Sequence, residues 1–329
     1  MPIKKEKSVN EKAIGRKNLK KIAVVVISVL CVCIVFLIVL NTVIIPKHKL
    51  KKAISMLNSG EYDSAYALLE EIENSEAINS NKYNRAMQYI NSGDYESAYM
   101  LLNGLSYKDS YDKLLSIKPK YQQILITRAN AGDTVFFGFY EQDNVTTNGK
   151  EDIEWNVLAK EDNRALLISK YALDCKQYNA ELTDVTWETC SLRQWLNGMF
   201  LNDAFSAEEQ ALIQDTYVSA DIDPKARTNP GNATTDKVFL LSINEVNKYF
   251  GTDESRMSIP TEYAKANGAY TSSSYTKNGV PTCWWWLRSP GDQQNMAASV
   301  HNIGSILLMW SFVHYDNLCV RPAVWVSTK

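Results

Sequence analysis

The 329-residue sequence lacks the motifs by which common enzyme and metal sites are recognised. It has no Gly-x-Ser-x-Gly nucleophile elbow and no His-x-x-Glu-His metalloenzyme motif. It has only three histidines, His48, His301 and His314, which excludes a histidine-rich metal site. A net charge of −2 gives no reason to expect nucleic-acid binding. We therefore predict no metal, no cofactor and no nucleic-acid partner.

Tryptophan is absent from the first part of the chain, because all eight tryptophans lie beyond residue 150. This asymmetry marks a domain boundary. At ~100–200 residues per domain, the chain is long enough for two. Cysteine is also scarce and never spaced as Cys-x-x-Cys, so structural zinc is not expected. Buried free thiols, one or two disulfides and, less favoured, catalytic or metal-bound thiols remain open for the four C-terminal cysteines, Cys175, Cys190, Cys283 and Cys319.

The N-terminal region combines a basic tail with a long apolar stretch. Residues 1–21 are basic and polar, and residues 22–45 carry no charge. A helix over 22–45 would span ~36 Å, enough to cross a ~30 Å hydrocarbon core. More Lys and Arg precede this stretch than follow it closely. The sequence therefore predicts a single-pass transmembrane helix in the plasma membrane, with a cytoplasmic N-terminus and residues 46–329 outside the cell.

An internal repeat occupies residues 50–118. Asn58-Ser59-Gly60 recurs 33 residues later as Asn91-Ser92-Gly93, and a similar helical pattern flanks each copy. The period and the pattern of glycine, acidic residue and tyrosine resemble the tetratricopeptide repeat. Glycine after each first helix is suited to a left-handed C-cap. We predict a short helical stalk, and favour a spacer role over a peptide-binding groove.

Residues 130–329 alternate short strands with short helices, which predicts an α+β domain. Its densest stretch is Trp284-Trp285-Trp286, followed closely by Arg288. Strand side chains alternate faces, so Trp284 and Trp286 should share the core face and Trp285 should take the other. We predict structural roles for Trp155, Trp195, Trp284, Trp286, Arg288 and Arg321.

The motifs of this domain resemble a family of uncharacterised extracellular domains of Gram-positive bacteria. The matching stretches include Ser191-Leu192-Arg193-x-Trp195-Leu196-Asn197, Trp285-Trp286-Leu287-Arg288-Ser289-Pro290-Gly291 and Val320-Arg321-Pro322-Ala323. More distantly, the order of elements resembles the C-type-lectin-like fold that formylglycine-generating enzymes share. That resemblance implies late loops forming a variable binding surface. The calcium–sugar triplets Glu-Pro-Asn and Gln-Pro-Asp are absent, so calcium-dependent sugar binding is not expected.

The late loops carry the predicted binding site for a protein or glycan ligand. The candidate binding residues are Trp285, Asp292, Asn295, His301, Trp310, His314 and Asp316. A competing hypothesis is an exported enzyme acting on the cell envelope through the loops around His301 and His314. A third is a purely structural spacer, which would lack a concave or aromatic exposed patch.

Overall fold

The computed structural model describes residue 30 and residues 32–72, 75–222 and 228–329. The chain divides into two compact units. The smaller unit extends to Ser92 and also contains Met100–Tyr111, and the larger contains Gly93–Tyr99 and Asp112–Lys329.

The described part of the smaller unit is helical. A π-helical turn, Leu40–Ile44, leads into helices α1 (Ile45–Ser59), α2 (Tyr62–Glu71), α3 (Ser75–Ser92), α4 (Tyr95–Leu102) and α5 (Ser110–Arg128), the last two continuing beyond this unit. Gly60 and Gly93, which follow the first helix of each repeat, have φ angles of 86° and 79°. This is the left-handed turn that the repeat predicts. The Arg85 guanidinium lies 3.7 Å from the centre of the Tyr62 ring, linking the two copies.

The predicted transmembrane helix over residues 22–45 is wrong. Among the described residues, no helix is both long and apolar enough to cross a membrane. The described apolar run, from residue 32 to residue 45, meets Lys47 after Pro46, and a crossing needs ~20 apolar residues. Residues 22–29 and 31, like the predicted basic tail over 1–21, lie outside the described residues. The single-pass plasma-membrane location rested on this helix and is corrected with it.

The larger unit contains two main sheets. The first has the order β1-β2-β3-β14-β7, formed by Thr134–Tyr140, Glu151–Glu161, Arg164–Ser169, Ala323–Ser327 and Val238–Phe239, and all its neighbours are antiparallel. The second has the order β12-β11-β10-β13-β4, formed by Ile306–Leu307, Ala297–Val300, Trp285–Pro290, Cys319–Val320 and Asp174–Cys175. β10 and β13 are parallel. The last segment of the chain thus supplies an interior strand to each sheet.

Short helices and small hairpins complete this unit. The helices are α6 (Ser191–Trp195, continued by a π-helical turn over Leu196–Phe200), α7 (Leu201–Ala204), α8 (Ala207–Leu212), α9 (Ile243–Tyr249), α10 (Asp253–Arg256) and α11 (Glu262–Ala266). The hairpins pair β5 (Thr216–Val218) with β6 (Thr234–Asp236), and β8 (Thr271–Lys277) with β9 (Val280–Cys283). The structure is therefore mixed α/β, and the predicted fold class, which included a membrane-spanning helix, is corrected.

Helix caps follow the sequence closely in this unit. Ser206 and Glu209 form the capping box that the sequence predicts before α8. Before α6, however, the N-cap is Cys190, whose sulfur accepts a hydrogen bond from the Arg193 N–H at 3.4 Å. The more usual capping residues on either side, Thr189 and Ser191, do not occupy this position, although a cysteine sulfur is only a weak acceptor.

The burial of the three consecutive tryptophans differs from the prediction. Trp285 and Trp286 are both fully buried, whereas Trp284 is only partly buried. β9 ends at Cys283 and β10 begins at Trp285, so Trp284 lies between two strands. Every residue of β10 is buried, because both faces of this strand are covered. Strand alternation therefore cannot separate core from ligand face here, and the predicted ligand-facing role of Trp285 is wrong.

Two arginines are buried beside this strand, as the sequence predicts. Arg321 is 2% exposed and lies between aromatic rings, 5.2 Å from the Trp285 ring centre and 5.5 Å from that of Phe250. Its Nε donates a hydrogen bond to the Ser169 carbonyl at 2.8 Å. Arg288 is 3% exposed and bonds several acceptors. Both guanidiniums therefore tie separate segments of the larger unit together.

The four C-terminal cysteines are free and buried. Cys175 and Cys319 are directly opposite each other on the antiparallel strands β4 and β13. Burial, followed by hydrogen bonding to the thiols of Cys175 and Cys283, raises the pKa of Cys319 well above its usual value. Burial likewise raises the pKa of Cys190 to about 12. A thiolate is the reactive form of cysteine, so the raised pKa values keep the Cys190 and Cys319 thiols in their unreactive, protonated form.

Candidate functional site

The predicted binding residues do not form a single site. Trp285 is in the core, and Asp292 and Asn295 lie half-buried in the connection between β10 and β11. Each of these two has a buried Oδ1 atom without a hydrogen-bond partner within the described part of the chain. His301 and His314 contact different aromatic groups, and Asp316 is exposed. Trp310 lines a concave surface together with other aromatic residues.

That concave surface, which we call the aromatic pocket, has a volume of about 240 Å³. Its lining residues are Tyr270, Trp284, Trp310, Tyr315, Asn317 and Leu318. The Tyr270 and Trp284 rings are 6.5 Å apart and nearly perpendicular, at 86°. Tyr270 is held in place because its N–H donates to the Asn317 carbonyl at 3.0 Å. The structure thus brings together aromatic residues from three separate stretches of sequence.

Trp310 has an unusual backbone conformation at the edge of this pocket. Its φ angle is 74°, in the left-handed region that bulky side chains rarely occupy, and it is 68% exposed. Hydrogen bonds on both sides hold the segment, since the Asp292 N–H donates to the Leu308 carbonyl at 2.9 Å and the Ala297 N–H donates to the Ser311 carbonyl at 3.1 Å. Strained, well-anchored residues cluster at functional sites.

The His301 ring packs against Trp284, one of the residues that line the aromatic pocket. Its ring centre is 4.5 Å from that of Trp284 and 5.9 Å from that of Tyr275. Burial lowers the pKa of His301 below its usual 6.5. The neutral imidazole is therefore the form that packs against Trp284.

We expect this histidine to make the larger unit less stable in mild acid. The contribution of His301 is complete above pH 6.5 and declines as the pH falls from 6.5 towards the lower pKa of the folded state, because the unfolded chain then binds the proton more readily. An NMR titration of the His301 ring should give a pKa below 6.5. A His301→Gln variant should lose this part of the pH dependence of unfolding. A His301 pKa above 6.5 would contradict the packing described.

A larger and more polar depression, which we call the cleft, lies in the same unit. Its volume is about 830 Å³, and its lining residues are Tyr140, Asp174, Lys176, Trp195, Gly198, Met199, Phe200, Asn202, Asp203 and Tyr263. A hollow of about 480 Å³ adjoins it, sharing Lys176, Trp195 and Met199 and adding Asn267 and Asp316. The three shared residues make the two depressions neighbours.

Asp174 anchors the floor of the cleft. Its carboxylate, 1% exposed, accepts hydrogen bonds from the Tyr140 hydroxyl at 2.7 Å and from the Asn267 amide at 2.9 Å. The Lys176 ammonium lies 3.3 Å from the same carboxylate and 4.8 Å from the centre of the Trp195 ring. Burial, followed by the neighbouring Asp174 charge, raises the pKa of Tyr140, so its hydroxyl stays protonated and donates. The floor is thus a fixed hydrogen-bonded network.

The rim of the cleft is exposed and mixed in character. Met199 is 69% exposed, although the π-helical turn places it beside buried Phe200. The Asp203 side chain is 53% exposed and its carboxylate is 2.5 Å from the Lys150 ammonium. Trp195, predicted as purely structural, packs on Phe200 at 5.2 Å and also forms part of the cleft wall. Polar recognition groups and an apolar contact surface therefore occur side by side.

Sequence reasoning missed most of the cleft. Tyr140 is on β1, Asp174 is on β4 and Asp203 is on α7, so these residues come together only in the folded chain. The sequence carried no signal for the cleft, because Leu192, Trp195, Leu196 and Met199 follow one helical apolar period that predicts a buried Met199, whereas Met199 is 69% exposed.

Three carboxylates lie close together around the loop before β2. Carboxylate oxygens of Glu141, Asp143 and Glu151 lie within 4.8 Å of one another. These groups already accept hydrogen bonds from loop amides, including the Val145 N–H to Glu141 at 2.9 Å and the Gln142 N–H to Glu151 at 2.7 Å. These carboxylates therefore close a turn of the chain.

One known protein family matches the part of the chain that contains the aromatic pocket and most of the cleft. Residues 162–328, just over half of the chain, match the family model described as "Domain of unknown function (DUF6273)". The chain belongs to the DUF6273 family. The aromatic pocket lies wholly within the DUF6273 domain, whereas the cleft also uses Tyr140, which precedes it. No curated protein and no solved structure matches the chain, so nothing supports the C-type-lectin-like resemblance.

Proposed function

We propose that the larger unit is a glycan-binding module that binds its ligand in the cleft. The observation that carries this proposal is that a partly exposed donor-only group, the Lys176 ammonium, and an exposed acceptor-only group, the Asp203 carboxylate, line one open depression. The Lys176 ammonium lies between the Asp174 carboxylate and the Trp195 ring, and Asp203 and Asn202 line the same depression.

A hydroxyl-rich ligand suits this arrangement better than an apolar peptide. An ammonium group only donates hydrogen bonds and a carboxylate only accepts them, whereas a hydroxyl group does both. A sugar presents such hydroxyls around an apolar ring face, which matches the exposed Met199 side chain. An amphipathic helical peptide would need an apolar groove. The Asp174 and Lys176 charges on the cleft floor disfavour that partner.

The alternative of an enzyme acting through His301 and His314 gains no support from their positions. The His301 ring packs on Trp284 and Tyr275, whereas the His314 ring packs on Phe312 and Tyr315. No observation brings the two imidazoles to a shared reacting group, so we do not propose this function.

An oligosaccharide array tests the proposal. We expect the purified chain to bind at least one structural class of immobilised oligosaccharide. Met199→Ala and Asp203→Ala should each weaken that binding about tenfold, because each removes a rim contact worth ~1–3 kcal/mol. Calorimetry with the best oligosaccharide gives the dissociation constants.

Met100→Ala is the matched control, since Met100 is 68% exposed, as Met199 is 69% exposed, but does not line the cleft. It should bind like the parent. Failure to bind any oligosaccharide, or equal affinity in all variants, would contradict a glycan site in the cleft.

A further inference from the structure

We propose that the aromatic pocket is a second binding site, specific for a methylated ammonium group such as the head group of choline or of an N-methylated amine. This site is separate from the cleft and does not depend on glycan binding. Its walls are Tyr270, Trp284, Trp310 and Tyr315.

The geometry of the walls favours a compact group over a flat one. The Tyr270 and Trp284 rings meet at 86° with their centres 6.5 Å apart, so they form a corner rather than two parallel plates. A flat sugar or aromatic ring can stack on only one wall of a corner. A roughly spherical trimethylammonium group can contact the faces of both rings within the ~6 Å over which cation–π attraction acts.

The π faces of this pocket are not used by the protein's own cations. Elsewhere in the larger unit, Lys176 lies over Trp195, Arg321 over Trp285 and Arg164 over Trp325. Among the described residues, no Lys or Arg lies over any of the four rings that wall the pocket. An external cation would therefore meet no competing lysine or arginine among the described residues.

The uncharged lining and the small volume of the aromatic pocket also favour a methylated ammonium head group. No charged side chain lines the pocket, and the polar lining side chains are the tyrosine hydroxyls, the indoles and the amide of Asn317. Asp316, the residue before Asn317, is exposed and lines the hollow beside the cleft, so it places no carboxylate in the aromatic pocket. A volume of about 240 Å³ is below the ~300–1,000 Å³ of sites for whole drug-sized ligands. It suits a head group whose remainder stays in solvent.

The exposed aromatic surface is preformed rather than assembled on binding. Trp310 is 68% exposed and Tyr270 is 51% exposed, yet the backbone on both sides of Trp310 is hydrogen-bonded to the β10–β11 region. Holding a bulky aromatic side chain at a φ of 74° costs free energy that the fold must supply. A preorganised wall lowers the cost of binding because little has to be ordered when the ligand arrives.

The test compares choline with its uncharged isostere, 3,3-dimethylbutan-1-ol, on the full chain. Binding is followed by NMR of the indole N–H signals and by tryptophan fluorescence. We expect choline and tetramethylammonium to bind about tenfold or more tightly than the alcohol, because cation–π attraction adds to the same apolar contact. Equal affinity for choline and the alcohol, or no binding of choline, would overturn the proposal.

Variants locate the site. Trp310→Ala should weaken choline binding about tenfold or more. Tyr217→Ala is the matched control, because Tyr217 is 76% exposed but outside the pocket, and it should leave choline binding unchanged. Met199→Ala should also leave it unchanged, which separates this site from the cleft. Choline binding that survives Trp310→Ala would show that the cation binds elsewhere and would contradict the assignment.

Discussion

Replacing Trp286 with alanine is expected to destabilise the larger unit by ~3–5 kcal/mol, a large share of the ~5–15 kcal/mol that holds a domain folded. The Trp286 ring is fully buried on an interior strand of the second sheet and lies 5.6 Å from the Tyr178 ring. Its Nε1 also donates a hydrogen bond to the Lys176 carbonyl at 2.8 Å. Truncation therefore leaves both a cavity and a buried acceptor without its donor.

Tryptophan fluorescence during urea unfolding of the full chain is a selective measurement of this effect. All eight tryptophans lie beyond residue 150, so the signal reports on the larger unit alone. Trp310→Ala is the control, because Trp310 is 68% exposed and surface substitutions usually change stability by ~0.5 kcal/mol or less. Equal midpoints for Trp286→Ala and the parent would mean that β10 is not the centre of the core.

Arg288→Ala is expected to cost a similar ~3–5 kcal/mol, because it breaks a buried ion pair and leaves several acceptors unpaired. The Arg288 guanidinium is paired with the Glu245 carboxylate and donates to the Leu240 carbonyl at 2.9 Å and the Ser219 carbonyl at 3.3 Å. Glu245 also accepts from the Ser242 N–H at 2.8 Å in the capping box of α9. Loss of Arg288 thus loosens a strand, a loop and a helix start together.

The same urea unfolding experiment measures this loss. Arg128→Ala is the matched control, because the Arg128 side chain is 62% exposed and its ion pair with Glu96 should contribute ~0–1 kcal/mol. A double variant, Arg288→Met with Glu245→Gln, should recover part of the stability by removing the unpaired charge. If Arg288→Ala unfolds at the same urea concentration as Arg128→Ala, the buried network contributes little and its structural role is refuted.

Local features of this fold were predictable from the sequence because their causes are local. The glycine turns at Gly60 and Gly93 depend on one residue's conformational freedom, and the Ser206–Glu209 capping box depends on two residues in one turn. The burial of Arg288 and Arg321 also followed from their positions beside apolar strands.

Features that depend on distant partners were not predictable in this way. The alternation of strand side chains predicted a ligand-facing Trp285, because the sequence does not show that both faces of β10 are covered. The cleft could not be predicted because Asp174 on β4 and Trp195 on α6 belong to separate elements that come together only in the folded chain. The membrane-spanning helix was predicted from hydropathy alone, and no described helix has the length and apolar character that it required.

NMR mapping with the best oligosaccharide from the array is the most direct test of the proposed function. We expect saturating ligand to shift the NMR signals of the Trp195 indole N–H, the Met199 methyl group and the Lys176 backbone amide, because these residues line the cleft. The signal of the Trp286 indole N–H, which donates to the Lys176 carbonyl in the core, should shift little. Shifts confined to the helices of the smaller unit, with the cleft signals unchanged, would contradict the proposal.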